Sequence, residues 1–364
     1  MMSFVACGSL WIGAALAGSA EDEVRPGPWP MRGYACVRAT EPIEIDGRLD
    51  DPAWALAPWT DPFVDIEGAR RPAPRLRTRA KMLWDEDYFY VAADLEEPHL
   101  WATLRNRDAV IFYDNDFEVF IDPDADTHVY SEIELNAFNT VWDLLLVKPY
   151  RDGGPAIHAW DIAGLRTAVY VDGTINDPAD EDRGWSVEIA VPWGVLDETT
   201  EATCPPSDGD RWRVNFSRVQ WRLETVDGVY RKVVDPATDK PLAEDNWVWS
   251  PQREIAMHEP EHWGIVEFRL ASSDAPVEPT AEDAAAWHLR YATYFLAAER
   301  EREGSYPAEF AAPPPPAGAP ILDPVWSWPP LYGVHGERYS LTLSRKDGHG
   351  ALIVYEDGRL VRSQ

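Results

Sequence analysis

Cysteine is scarce in this chain: its 364 residues include only three, and none belongs to a CxxC pair. Beyond the first twenty residues only Cys36 and Cys204 remain. Two isolated thiols cannot supply the paired cysteines of a structural zinc site. Two alternatives stay open for them: one disulfide in an oxidising compartment, or two buried, unpaired thiols.

Basic residues are also few, with 33 Lys and Arg against 63 Asp and Glu and a formal net charge of −30. A chain this acidic repels the phosphate backbone of nucleic acids and anionic membrane surfaces. Nucleic acid is therefore excluded as a partner. The same charge suits neutral polyols or divalent cations, and equally a well-solvated surface.

Signatures of nucleophilic and nucleotide-binding enzymes are missing, since the chain has no GxSxG and no P-loop pattern. Its eight histidines are scattered and predict no metal triad. Long apolar runs are missing as well, because no segment after the first twenty residues approaches the roughly 20 apolar residues of a membrane span.

The first twenty residues have the pattern of an export signal, although they lack Lys and Arg. An apolar run covers residues 4–17, and the small residues Gly18 and Ala20 precede an acidic segment. We expect residues 1–20 to be removed and the protein to be secreted, periplasmic or in the cell envelope. Cys7 lies too near the start for lipid attachment, so a lipoprotein is not expected.

Short segments of alternating polar and apolar residues, bounded by Gly, Pro and Asp clusters, are abundant. They predict a mainly β protein with an antiparallel, immunoglobulin-like β-sandwich over residues 31–270. A Ser-, Pro- and Ala-rich linker at 271–280 leads to a small α+β unit at 281–364, in which apolar residues at helical spacing predict a helix at 284–303.

Acids and aromatic residues alternate along two neighbouring strands of this predicted sandwich. Period-two counting puts Phe117 on the core face and Glu118 on the opposite face. On the next strand Glu134 and Asn136 are predicted to face outward, and Arg218 of a later strand is predicted to share their face. These side chains could hydrogen-bond vicinal hydroxyls, or form a solvated, mutually paired charge face.

A loop after the first of these strands contains Asp122, Asp124 and Asp126 at alternate positions. Three carboxylates are the oxygen ligands that Ca²⁺ prefers. The loop predicts a calcium site, and an Asp-rich turn without an ion is the alternative.

Five motifs in order carry a family resemblance: IDGRLDDPAW, LWDEDYFYVAADL, DNDFEVFID, GWSVEIAVPW and VNFSRV. Together they resemble the family 9 carbohydrate-binding module over roughly residues 37–270. The resemblance implies a noncatalytic β-sandwich that holds a sugar between two tryptophans and binds structural calcium. Such modules are usually appended to xylanases and related glycoside hydrolases, which implies a role in the catabolism of polysaccharides such as xylan.

The family's site positions map onto this chain with substitutions. The first sandwiching tryptophan falls on Phe112, and the second falls near Met257. The acid of the central strand falls on Glu118, and a ligand arginine falls on Glu134, which reverses its charge. The resemblance and the strand patterns together predict these carbohydrate-binding residues: Phe112, Tyr113, Glu118, Glu134, Asn136, Trp142, Ser217, Arg218 and Trp221.

Three classes of function follow from these patterns. The first is noncatalytic binding of a polysaccharide or oligosaccharide by an exported module. The second is glycoside hydrolysis by the paired carboxylates Glu118 and Glu134, since such enzymes need two carboxyl groups about 5–10 Å apart. The third is a structural protein whose sandwich supports the C-terminal unit. The sequence predicts no oligomeric state.

Overall fold

The structure is a computed structural model, and it describes residues 29–363. The predicted export signal at 1–20, including Cys7, lies outside the described residues. Among residues 29–363 no helix combines the length and the apolar character needed to cross a bilayer.

The chain is built mainly from β-strands. The strands are β1 (Gly33–Arg38), β2 (Val64–Asp65), β3 (Thr78–Trp84), β4 (Tyr88–Glu96), β5 (Asp116–Asp122), β6 (Tyr130–Asn136), β7 (Val141–Leu146), β8 (Ala156–Ile157), β9 (Arg166–Asp172), β10 (Gly184–Pro192), β11 (Arg211–Gln220), β12 (Leu223–Val226), β13 (Val229–Lys232), β14 (Val234–Asp235), β15 (Lys240–Pro241), β16 (Asp245–Val248), β17 (Gly264–Arg269), β18 (Leu331–His335), β19 (Arg338–Ser344), β20 (Ala351–Tyr355) and β21 (Leu360–Ser363). The α-helices are α1 (Trp193–Leu196) and α2 (Ala281–Glu303).

Thirteen of these strands form one sheet, in the order β8-β7-β6-β5-β11-β17-β1-β3-β4-β10-β9, with β16 and β2 branching from β11. The pairing is antiparallel except at β1, which runs parallel to both β17 and β3. The sheet curls so that distant strands meet: Phe117 of β5 and Val187 of β10 belong to the same buried core. The predicted mainly β, sandwich-like fold is confirmed, although the two layers belong to one continuous sheet.

Period-two alternation decides which side chains enter this core. On β5, Phe117, Val119 and Ile121 point into it, as predicted. The opposite face of the same strands carries a second buried cluster that includes Phe120, Tyr130 and Trp142. Four tryptophans that lie in or next to these strands are buried: Trp84, Trp185, Trp193 and Trp263.

The IDGRLDDPAW motif covers the outer face of β3, β4 and β10. The segment forms no strand and packs as a loop and a 3-10 turn. Trp54 donates its indole N–H to the buried Glu188 of β10 at 2.7 Å, and the Gly47 amide donates to the same carboxylate at 2.8 Å. Gly47 has φ 87°, and a Cβ there would lie 2.4 Å from a backbone nitrogen. This position therefore requires glycine.

Residues 281–363 form a helix packed on a four-stranded meander, β18 to β21. A capping box between Thr280 and Asp283 begins α2, and Gly304 in the left-handed conformation ends it. Arg213 of β11 pairs with Asp283 at 2.6 Å. The C-terminal unit is thus fixed to the face of β11 that lies opposite the main core. The predicted domain boundaries themselves stay a prediction.

Cys36 is buried in the main core and Cys204 lies half-buried at its edge, and neither forms a disulfide. Of the two alternatives left by the sequence, the structure has the unpaired thiols. Burial raises the pKa of both thiols, that of Cys204 to about 12.

Candidate functional site

One cavity of about 170 Å³ opens on the face of the sheet that lies opposite the main core. Strands β5, β6, β7 and β11 supply its floor, and loops near β16 and before β17 supply its rim. Its walls combine aromatic rings with carboxylates. The lining residues are Phe112, Glu118, Phe120, Glu132, Glu134, Trp142, Tyr150, Val219, Glu244, Asn246, Met257 and His258.

The floor of the cavity is acidic. Glu118 of β5 lies directly opposite Glu134 of β6, and Glu132 projects from the same face two residues earlier. All three side chains are almost fully buried. Burial raises the pKa of Glu118 to about 7, and burial together with the charge of Glu118 raises the pKa values of Glu132 and Glu134 well above their usual range. The three carboxylates thus form one electrostatically coupled group.

The walls of the cavity are aromatic. Phe112 precedes β5 and lies 6.2 Å from Trp142 of β7, measured between ring centroids. The amide of Phe112 also donates to Glu134 at 3.1 Å, which ties the aromatic wall to the acidic floor. Met257 lines the same cavity. The two positions that the resemblance gives to sandwiching tryptophans, Phe112 and Met257, therefore belong to one site.

A buried histidine closes one end of the cavity. His258 shares a hydrogen bond with the Tyr130 hydroxyl at 3.0 Å through Nδ1, and its Nε2 lies 3.8 Å from Glu132. The ring of Tyr150 stands edge-on against it at 4.5 Å. Burial lowers the pKa of His258 to about 3, so the imidazole is neutral at pH 7 and does not balance the charge of the floor.

Two predicted contacts are buried beneath or beside the cavity rather than in its wall. Ser217 of β11 pairs with Glu118 and is fully buried. The Asn136 amide group donates to the Leu104 carbonyl and to Asp114, while its oxygen accepts from two backbone amides. All of its hydrogen-bonding capacity is used within the fold, so Asn136 braces the turn between β6 and β7.

Arg218 does not share the face of Glu118, and that prediction is wrong. Its neighbour Ser217 pairs with Glu118, so alternation sends Arg218 to the core face of β11. There its side chain is 1% exposed and its guanidinium donates to Glu97 at 3.0 Å. Arg218 therefore forms a buried ion pair with Glu97 that stabilises the fold.

Tyr113 and Trp221 lie outside the cavity in a neighbouring aromatic cluster. Trp221 donates its indole N–H to the Phe112 carbonyl at 2.9 Å, and Trp101 packs in the same group. The Lys232 ammonium lies 3.2 Å from the centroid of the Trp221 ring. Lys232 therefore covers one face of the Trp221 indole, whereas Tyr113 is exposed.

One carboxylate oxygen from each of Asp122, Asp124 and Asp126 lies within 4.8 Å of the other two. Every one of their six oxygens nevertheless accepts a hydrogen bond from the protein. Arg359 supplies one of these bonds to Asp126, at 2.8 Å. This donor set fits a braced loop better than a cation site, and the calcium predicted there stays a prediction.

Residues 258–262 form a HExxH pattern, the spacing of a zinc-binding motif. In metalloproteases this spacing works because a helix puts both histidines on one face. Here the segment is a loop followed by a 3-10 turn, Pro260–His262. His258 points toward Tyr130, whereas His262 contacts the Tyr294 hydroxyl of α2 at 3.1 Å. The two imidazoles therefore do not converge on a metal.

Several lining residues were not predicted from the sequence. Glu132 could have been found, because it alternates with Glu134 on the same strand. Tyr150, Glu244 and His258 come from loops and short turns, so no local pattern marks them. Their positions depend on how those loops pack.

Fold and cavity together define a β-sandwich binding protein. A match to the carbohydrate family 9 binding domain-like family covers residues 45–270. Because this is well over half of the chain, the chain belongs to that family, which is one of noncatalytic carbohydrate-binding domains. A comparison with curated proteins gives no match.

Similar solved structures have low sequence identity. A proposed carbohydrate-binding protein from Bacteroides uniformis is 14% identical, with a TM-score of 0.48, and the likeness covers 66% of this chain and 100% of that one. Two structures of a family 9 module from Caldicellulosiruptor kristjanssonii, with cellotriose and with glucose, are each 16% identical, with TM-scores of 0.42 and 0.41. They cover 68% and 67% of this chain and 100% of the module.

Proposed function

We propose that this protein binds a carbohydrate noncatalytically in the cavity, as an exported module that serves polysaccharide catabolism. The proposal rests on one observation. Two aromatic rings, of Phe112 and Trp142, line the same cavity as two buried carboxylates, of Glu118 and Glu134. Family membership supports the class of ligand. The export pattern of residues 1–20 supports the location.

The chemistry of the walls suits a sugar. A pyranose ring has apolar C–H faces and a rim of hydroxyls, so it needs flat apolar surface and hydrogen-bond acceptors together. Aromatic rings supply the first and desolvate the ligand. Buried carboxylates supply strong, charge-assisted acceptors for hydroxyl groups.

The size of the cavity limits how much sugar can enter. Its 170 Å³ lies below the roughly 300–1,000 Å³ of sites for drug-sized ligands. A single sugar unit at the end of a chain fits this limit better than an internal stretch of polysaccharide. We therefore expect recognition of a chain end or of a short oligosaccharide.

The arrangement of the acids argues against hydrolysis. A glycosidase places its two carboxyl groups on either side of the scissile bond. Glu118 and Glu134 instead project from neighbouring strands on one face of the sheet, so they approach a ligand from the same side. This favours binding over bond cleavage.

The proposal is tested by isothermal titration of the protein against a panel of plant, algal and host oligosaccharides, followed by chromatography of each mixture. Saturable binding of one sugar class with no new product supports it. No binding to any member of the panel would overturn it, and release of shorter sugars would replace it with the hydrolase alternative.

A variant and a matched control test whether the sugar binds in the cavity. Trp142→Ala removes an aromatic wall, and it should abolish most of the heat of binding. Trp326→Ala removes a buried indole from the separate core of the C-terminal unit, which does not line the cavity, and should leave the affinity of folded protein unchanged. Circular dichroism checks that both variants fold.

A further inference from the structure

One buried carboxylate oxygen lies next to the acidic floor without a hydrogen-bond partner. Asp116 begins β5 and is fully buried, and its Oδ1 accepts from the Val219 amide at 3.0 Å. Its Oδ2 has no partner among the described residues. A buried carboxylate oxygen without a hydrogen bond is costly, so this acceptor is a candidate ligand atom.

Asp116 belongs to a compact group of carboxylates. One carboxylate oxygen from each of Asp116, Glu118 and Glu134 lies within 4.8 Å of the other two. All three side chains are buried, and within residues 29–363 no Lys or Arg forms an ion pair with any of them. Three like charges at this separation, shielded from water, require a counter-charge or protons.

In other acidic groups of the described residues, arginines or hydrogen bonds compensate the negative charge of the carboxylates. Asp122, Asp124 and Asp126 have all their oxygens hydrogen-bonded and are flanked by Arg359. Asp143 and Asp161 pair with Arg107. Glu261 also has a buried oxygen without a hydrogen bond, but it pairs with Arg151 at 2.7 Å. Among the described residues, the group on the cavity floor combines such an oxygen with the lack of an ion-pairing Lys or Arg.

We propose that Asp116, Glu118 and Glu134 bind a divalent cation of the calcium type at the base of the cavity. Ca²⁺ takes 6 to 8 oxygen ligands at about 2.3–2.6 Å, so three carboxylates whose oxygens lie this close together can share one ion. Glu118 and Glu134 line the cavity, whereas Asp116 is buried and does not line it. The ion would therefore have protein ligands below it and free coordination positions facing the cavity.

This geometry favours a small ion over a positively charged sugar. An ammonium group on a sugar ring in the cavity can reach Glu118 and Glu134, but Asp116 does not line the cavity. An ion satisfies all three carboxylates at once.

The cation would also take part in recognition, a step that rests on the proposed carbohydrate-binding function. Its free positions would accept water or two neighbouring hydroxyls of the bound sugar. Sugar affinity should then depend on calcium, because the ion replaces direct contacts to a repulsive group of carboxylates.

Calcium alone is the first probe. The protein is stripped with EDTA, dialysed and titrated with CaCl₂ by calorimetry without any sugar. One saturable site is expected. Asp116→Asn and Glu134→Gln, which keep shape, should each weaken calcium binding about tenfold or more, because affinity follows the number of charged ligands.

Asp124→Asn is the matched control, since it neutralises one carboxylate of the other Asp group. It should leave the calcium affinity unchanged. Loss of binding in Asp124→Asn with retention in Asp116→Asn would move the ion to the Asp122–Asp126 loop and overturn the proposal. Absence of any calcium binding by stripped, folded protein would mean that protons neutralise the floor, and would overturn it too.

The sugar identified by the panel is the second probe. Its affinity, measured with calcium and again with EDTA, should fall about tenfold or more when calcium is removed, in line with the loss of a bridging ligand. Equal affinity in both conditions would contradict the role of the ion while leaving carbohydrate binding intact. Absence of sugar binding in both conditions would instead contradict the proposed function.

Discussion

Glu118 and Glu134 lie directly opposite each other on β5 and β6, and both carboxylates are buried on the face of the sheet that carries the cavity. Like charges directly opposite each other destabilise a sheet. The fold nevertheless keeps them together and places Phe112 and Trp142 beside them. An arrangement that costs stability is best explained by a ligand.

Phe112→Ala should weaken binding of the best sugar about ten- to hundredfold, because burying an aromatic side chain contributes about 1.5–3 kcal/mol. Phe138→Ala is the matched control. Phe138 is also half-buried, but it packs at the edge of the main core under Arg105. Calorimetry with the two variants compares them directly, and equal losses would mean that Phe112 acts only through stability.

Arg218→Met should lower the free energy of unfolding by about 3–5 kcal/mol, because it removes the ion-pair partner of the buried Glu97 carboxylate and leaves it only the neutral donors Gln220 and Asn115. Urea unfolding measures this. Sugar affinity of the folded protein should not change, since the side chain lies on the core face. A stable variant that fails to bind sugar would show that Arg218 contributes to the carbohydrate site.

Trp54→Phe should cost more stability than Trp212→Phe. Both tryptophans are almost fully buried, but the Trp54 indole donates to Glu188, whereas the Trp212 indole nitrogen has no partner among the described residues. Loss of a donor to a buried carboxylate costs about 1–3 kcal/mol beyond the change in packing. The difference between the two unfolding free energies tests this, and a difference near zero would contradict it.

His262 should make stability depend on pH. Burial lowers its pKa to about 4, and Glu259 and the Tyr294 hydroxyl face it. The unfolded chain binds the proton near pH 6.5, so this stability is complete above pH 6.5 and is lost as pH falls toward 4. Between pH 7 and pH 5 the wild type should lose about 2 kcal/mol more than His262→Gln.

The exposed His335 offers a control for this experiment. His335→Gln should follow the pH dependence of the wild type in urea unfolding. If His262→Gln also follows the wild type, the imidazole of His262 is not held neutral by its surroundings, and the account of the contact between α2 and the sandwich is wrong.

The sequence predicted much of the sheet because alternation is a local property. The inward set on β5 and the outward Glu118 and Glu134 follow from counting by two. The same count, extended from Val214 and Phe216, would have placed Arg218 on the core face. What the sequence did not show is Glu97, whose buried carboxylate makes an arginine tolerable there.

The rim of the cavity depends on long-range packing. Met257 was placed near the site by family resemblance, but Tyr150 and His258 come from loops whose path follows no periodic pattern. Lys232 over Trp221 is a similar case, because only the folded hairpin β12–β13 brings it there. Such contacts cannot be predicted from residue types along a single strand.

The central claim is that the cavity is the carbohydrate site, and a crystal structure with the best-binding oligosaccharide tests it most directly. We expect a terminal sugar ring in contact with Phe112 and Trp142, with hydroxyls directed toward Glu118 and Glu134, either directly or through the proposed cation. A sugar bound instead over Tyr113 and Trp221, with the cavity unchanged, would contradict it.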